Sequence, residues 1–183
     1  NKCWRTQYWH LYRHLQNPTF YVCVENDEQA QDMNLIQERY PKERIHVKLL
    51  PLSSEVTDLP KPSDEHEWHA PYPVVTPAAS ILKCFWNYNE AWKFYQSFGT
   101  DDDLIVRCRP DAFFHSCEVP KAKLAPHDFM SLWWERYGGV NDRLVFMGPR
   151  AAESAMTMIT RIDSILAAGC PLHGESVPWA AVQ

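Results

Sequence analysis

The sequence predicts a three-layer α/β domain in which a mostly parallel sheet is flanked by helices. Three observations predict it. Short apolar runs rich in β-branched and aromatic residues stand at 19–24, 45–50, 104–106 and 144–147. They alternate with longer stretches whose apolar residues recur at helical spacing. The 183 residues suit one buried core better than two. Regular alternation of strand and helix is the pattern of a parallel sheet covered on both faces.

Each element has its own signal. From Trp4 to Gln16, residues Tyr8, Leu11, Tyr12 and Leu15 fall on one helical face, and Asn17-Pro18 stops the helix. Thr19 to Val24 reads as a buried strand, followed by the polar triplet Glu25-Asn26-Asp27. Residues 28–40 read as a second helix closed by Pro41, and Ile45 to Leu50 as a second strand. Residues 51–77 hold six prolines and little periodicity, the composition of a long loop, with His66 and His69 inside it. Ala78 to Phe98 is a strong helix with Ile81, Leu82, Phe85, Trp92 and Tyr95 on its apolar face and Gly99 as its stop. Leu104 to Val106 and Leu144 to Met147 are strands. Arg150 to Ala168 is a helix with Met156, Ile159, Ile162 and Leu166 inward, closed by Gly169.

Composition removes several function classes. The net charge of −5 and a pI near 5.9 argue against a general nucleic-acid binder, which needs a basic face. No run approaches the ~20 apolar residues of a membrane span, and no signal-peptide pattern opens the chain. The opening Asn1-Lys2-Cys3-Trp4 reads as helix interior rather than a natural start, which predicts an upstream anchor or strand outside this chain. The six cysteines form no CxxC pair and so no zinc or redox motif; their even number also permits three disulfides, and the compartment stays open.

Ligands of open α/β sheets bind beyond the carboxyl ends of the strands. Asp101-Asp102-Asp103 precedes its strand and reads as a solvated lead-in turn. Asp111 follows the same strand, presented by Pro110, and a carboxylate there suits a hard divalent cation that shares diphosphate oxygens. Arg107 and Arg109 alternate on the strand exit and share a face, and their forked donors match phosphate. A structural Arg–Asp pair is the equal alternative. Tyr137-Gly-Gly-Val-Asn141-Asp142-Arg143 is a turn whose glycines permit close backbone approach, and whose carboxylate can grip a sugar or take a hydroxyl proton. In Cys170-Pro-Leu-His173-Gly-Glu175, His173 can ligate a metal and Glu175 can act as a base.

Arg107-Cys-Arg-Pro-Asp111 resembles the RxRPD signature of a group of GT-A-like glycosyltransferases found in bacterial capsule clusters and in algae and their large viruses. Tyr137 to Asp142 with the following Arg143 to Gly148 is similar to that group's YGGxNDxxxxG segment, and His173-Gly-Glu175 to its HPE element, with Gly174 in place of proline. The likeness covers roughly residues 78–180. It implies a GT-A fold over one domain, 1–183, with its usual first strand missing before Trp4. It also implies a nucleotide-sugar donor, a glycan or other hydroxyl acceptor, and Mn²⁺ or Mg²⁺. On that resemblance Asp111 and His173 hold metal or diphosphate, and Arg107 and Arg109 hold the diphosphate. Asn141 and Asp142 contact donor or acceptor, Glu175 or Asp142 is the base, and Asp27 lies near the nucleoside. Arg109 replaces the first Asp of the family's DxD, leaving one carboxylate fewer for the cation. That departure favours a second expectation, a non-catalytic nucleotide- or sugar-binding domain.

Overall fold

A computed structural model describes residues 2–24, 34–51, 56, 59–60, 77–100, 103–134 and 139–183. Helix α1, Lys2–His10, runs into a 3₁₀ turn, Tyr12–His14, and then into strand β1, Phe20–Val24. Asn17 takes a positive φ of 49° where the chain reverses ahead of Pro18. A short helix α2, Asn34–Gln37, and a 3₁₀ turn, Lys42–Arg44, lead into β2, Ile45–Leu49. The long helix α3, Ala78–Tyr95, precedes β3, Ile105–Cys108, β4, Phe129–Ser131, and β5, Leu144–Met147. Helices α4, Pro149–Met156, α5, Ile162–Ala167, and α6, Ser176–Val182, complete the order, with a 3₁₀ turn, Met158–Arg161, between α4 and α5.

The α/β class holds, but the sheet pairing departs from expectation. Among the described residues β1 and β2 form a parallel pair, in register from Phe20 opposite Ile45 to Val24 opposite Leu49. The other three strands form an antiparallel sheet in the order β3-β5-β4. A mostly parallel sheet needs a crossover helix between successive strands. None lies between β3 and β5 among the described residues, so the chain returns alongside β3 in the opposite direction.

Strand β5 is central and buried on both faces. Leu144 and Phe146 enter a cluster with Trp4, Leu11, Tyr12 and Phe114, while Val145 and Met147 enter another with Trp92, Ala152 and Met156. The amino half of α3 supplies Ile81, Leu82 and Phe85 to a third cluster, against Met158, Ile162, Leu172 and Val177.

The segment 150–168 is not one helix. Thr157 and Thr160 turn their hydroxyls back onto the carbonyls of Glu153 at 2.7 Å and Thr157 at 2.8 Å. Such back-bonding, with β-branched crowding, favours the tighter 3₁₀ turn seen between α4 and α5. Helix 28–40 is observed only as α2, since residues 25–33 lie outside the described ones, and helix 4–16 gives way to the 3₁₀ turn after His10. Gly169 acts as the expected stop, with φ 87°, the left-handed conformation of a helix C-terminus. The helix predicted over 78–98 ends at Tyr95 instead, and Gly99 lies beyond it without a positive φ, passing where a Cβ would meet the Tyr95 ring. No two of the six cysteines are joined in a disulfide. Among the described residues, no helix is long and apolar enough to cross a membrane.

Candidate functional site

The antiparallel pairing brings two motif segments together. Cys108 at the end of β3 lies opposite Leu144 at the start of β5, and the next rung is the Arg109 N–H donating to the Arg143 carbonyl at 3.0 Å. The exit of one strand therefore abuts the approach to the other, and Arg109 and Asp111 meet Asp142.

Arg109 is the hub. Its Nε and Nη2 donate to the two oxygens of Asp111 at 3.0 and 2.7 Å, and its Nη1 donates to Asp142 Oδ2 at 2.9 Å. One planar guanidinium thus spans both carboxylates, the geometry that favours arginine over lysine. Asp111 projects outward with 66% of its side chain accessible, whereas Asp142 retains 15%. The hydrogen bonds from Arg109 hold the Asp111 carboxyl below the ordinary carboxylate range despite some burial. In return the bond to Asp111, with both carboxylate charges, raises the Arg109 pKa, so the guanidinium is charged throughout.

Arg107 lies beside it. Its Nη2 reaches the Asp142 carbonyl at 3.4 Å and its guanidinium lies 4.3 Å from the centre of the Tyr88 ring. Its Nε and Nη1 are buried with no hydrogen-bond partner among the described residues. Tyr88 and Cys84, one turn apart on α3, form the floor; burial is the main cause that raises both their pKa values. Sequence reasoning treated this helix face only as core. The signal available was a Cys and a Tyr four residues apart on a helix just ahead of the arginine strand.

Asn141 is fully buried and its amide serves the main chain. It donates to the Trp134 carbonyl at 2.9 Å and accepts from the Arg143 N–H at 2.9 Å, which fixes the turn that presents Asp142. Gly139 allows the contact with the C-terminal segment: a Cβ there would lie 2.0 Å from the Glu175 carbonyl oxygen. The Val140 N–H donates to that same carbonyl at 3.1 Å.

His173 and Glu175 form a second group. His173 Nε2 is 2.9 Å from Glu175 Oε2, and its Nδ1 lies 3.4 Å from Ser176 Oγ. His173 and Ser176 are buried and Glu175 retains 15% of its side-chain exposure. Both ring nitrogens face partners, so a metal-ligand role for His173 requires its release from Glu175. Among the described residues no three His, Cys, Asp or Glu side chains converge as a metal cage.

The predicted residues divide accordingly. Arg107, Arg109, Asp111 and Asp142 meet in one group; His173 and Glu175 pair beside it, joined through the main chain of Val140; Asn141 braces the turn. Asp27, Asp101, Asp102, His66 and His69 lie outside the described residues. Asp103 closes its own turn, accepting from the Thr100 N–H at 2.8 Å and the Tyr95 hydroxyl at 3.1 Å, as a lead-in residue should. No family model matches the chain, and no curated protein or solved structure is significantly similar to it.

Proposed function

We propose that the chain is a glycosyltransferase that moves a sugar from a nucleotide diphosphate donor to a hydroxyl acceptor, with a divalent cation assisting. The observation that supports this reading is the Arg109 bridge, which gathers the carboxylates of the two resemblance motifs around one positive charge. Two hard oxygen donors gathered at one guanidinium would suit Mg²⁺ or Mn²⁺. Asp111 and Asp142 would hold the metal, which supplies charge neutralisation for the departing nucleoside diphosphate.

The chain's own groups carry the rest. With a metal held by Asp111 and Asp142, Arg109 would be free to donate its fork to diphosphate oxygens. Arg107, with two hydrogen-bond positions unfilled, adds a second fixed positive charge near them. In the transfer the bond from the sugar's anomeric carbon to the diphosphate oxygen breaks, and a bond from that carbon to the acceptor oxygen forms. Glu175, held by His173, takes the acceptor proton.

The test is a calorimetric titration of nucleotide diphosphate sugars with and without Mn²⁺, followed by a donor hydrolysis assay. At least one donor should bind more tightly with Mn²⁺, and Asp111→Asn should remove that gain without changing the fold. A donor that binds Asp111→Asn and wild type equally in Mn²⁺ refutes the metal assignment.

The second reading is a non-catalytic nucleotide- or sugar-binding domain, favoured by the locking of both carboxylates to Arg109. Saturable donor binding without turnover at any Mn²⁺ concentration selects it.

A further inference from the structure

A cleft of about 430 Å³ lies between α1, the reversal at Asn17-Pro18 and the segment 39–44 that leads into β2. It shares no residue with the Arg109 group. Its lining is donor-rich: Arg13, Arg39 and Arg44, with Tyr8, Tyr12 and Tyr40, and no carboxylate among the described residues that line it. This stands against the net charge of −5 for the chain.

The arginines have partners, but no acidic ones among the described residues. Arg13 donates to His14 at 3.1 Å and lies 4.8 Å from the Trp9 ring centre. Arg39 lies 4.9 Å from the Tyr8 ring centre. Arg44 donates to the Asn17 carbonyl at 2.6 Å, bracing the residue with positive φ. Three guanidinium charges around one cleft repel one another, and an anion relieves that repulsion. The floor is rigid, because Tyr12 is buried and its hydroxyl donates to Gln7 at 2.7 Å, while Tyr40 packs on Phe20 at 4.8 Å between ring centres.

We propose that this cleft is a binding site for a phosphorylated small molecule. Its phosphate meets the arginines and its body lies against the apolar wall of Leu15, Pro18 and Pro41. A phosphate monoester carries nearly two negative charges and oxygens that accept paired N–H donors, whereas a carboxylate carries one charge. The volume falls within the range of small-molecule sites.

The experiment is an NMR titration of the ¹⁵N-labelled chain with phenyl phosphate, benzoate and inorganic phosphate in parallel. Phenyl phosphate should bind saturably, shift amides around Leu15 and Tyr40, and bind roughly tenfold more tightly than benzoate. Inorganic phosphate should bind more weakly, lacking the apolar body. Arg39→Gln and Arg13→Gln, at exposed positions, should each weaken phenyl phosphate about five- to tenfold. Asp111→Asn should leave this binding unchanged, which separates the cleft from the proposed transfer site. No saturable binding, equal affinity for benzoate, or full affinity in both arginine variants overturns the proposal.

Discussion

Arg109 serves two carboxylates in different surroundings, and this sets what each substitution costs. Asp111 is mostly in water, and an exposed ion pair stabilises by only about 0–1 kcal/mol. The Asp111 pKa lies below its unfolded value because Arg109 hydrogen-bonds the ionised form. Its contribution is therefore complete above the unfolded value of about 3.9 and is lost as pH falls through the lower folded one. Asp142 is largely buried, so removing Arg109 leaves a desolvated carboxylate without its charged partner. Arg109→Ala should cost roughly 1–3 kcal/mol at neutral pH, Asp111→Asn less than about 1 kcal/mol, and adding Asp142→Asn to Arg109→Ala should recover part of the loss. Urea unfolding of the three variants measures this. Equal losses for Arg109→Ala and Asp111→Asn would mean that Asp142 does not depend on the guanidinium. The arginines and carboxylates were legible in the sequence as residue types suited to phosphate and metal. The bidentate pair of Arg109 with Asp111 was one of the two readings the sequence offered, but the contact with Asp142 was not legible, because a hydrogen bond across 33 positions depends on strand register rather than on spacing.

The register is set by β3 and β5, and sequence periodicity identifies such strands without their direction. The rule that sites lie beyond strand carboxyl ends correctly set aside Asp103, which precedes β3, yet Asp142 also precedes its strand. Asp142 reaches the site because β5 runs antiparallel to β3, which turns its leading end toward the exit of β3. In a parallel sheet the two motifs would sit on opposite edges. β4 was missed because Phe129-Met130-Ser131 is too short to show alternation, and α6 because Pro178 and the neighbouring motif obscure its pattern. Of the two glycines of the turn, Gly138 lies outside the described residues, and Gly139 makes the close approach expected of it. A Cβ there meets backbone atoms, Glu175 O at 2.0 Å and Ser176 N at 2.6 Å, so the turn or α6 must move. Gly139→Ala should destabilise by about 1–3 kcal/mol, while Gly174→Ala, with nothing within 4 Å of its Cβ, should stay within about 0.5 kcal/mol. Thermal unfolding of the pair checks it, and equal midpoints would mean that the loop and α6 are not in contact in solution.

At the scale of the whole chain, two elements join three apolar clusters. α3 gives Ile81, Leu82 and Phe85 to one cluster and Trp92 to a second, and β5 gives Val145 and Met147 to that second cluster and Leu144 and Phe146 to a third. This linkage predicts that the described core melts as one unit, since no cluster can lose its shared element alone. The apolar face of α3 was legible from helical spacing; the burial of both faces of β5 followed from its unbroken apolar run. What the spacing did not give is which cluster each face enters, because that depends on the partners of a central strand. The parallel pair β1–β2 contrasts with this core, for Val47 and Leu49 on β2 remain 41% and 60% exposed. Met147→Ala, at a position with no exposure, should cost about 2–5 kcal/mol, whereas Val47→Ala should change stability by less than about 1 kcal/mol. In urea, tryptophan fluorescence and far-ultraviolet circular dichroism should trace one coincident transition, moved as a whole to lower urea by Met147→Ala. Separate midpoints for the two probes, with Met147→Ala moving only one, would show that β5 stabilises one cluster independently of the rest.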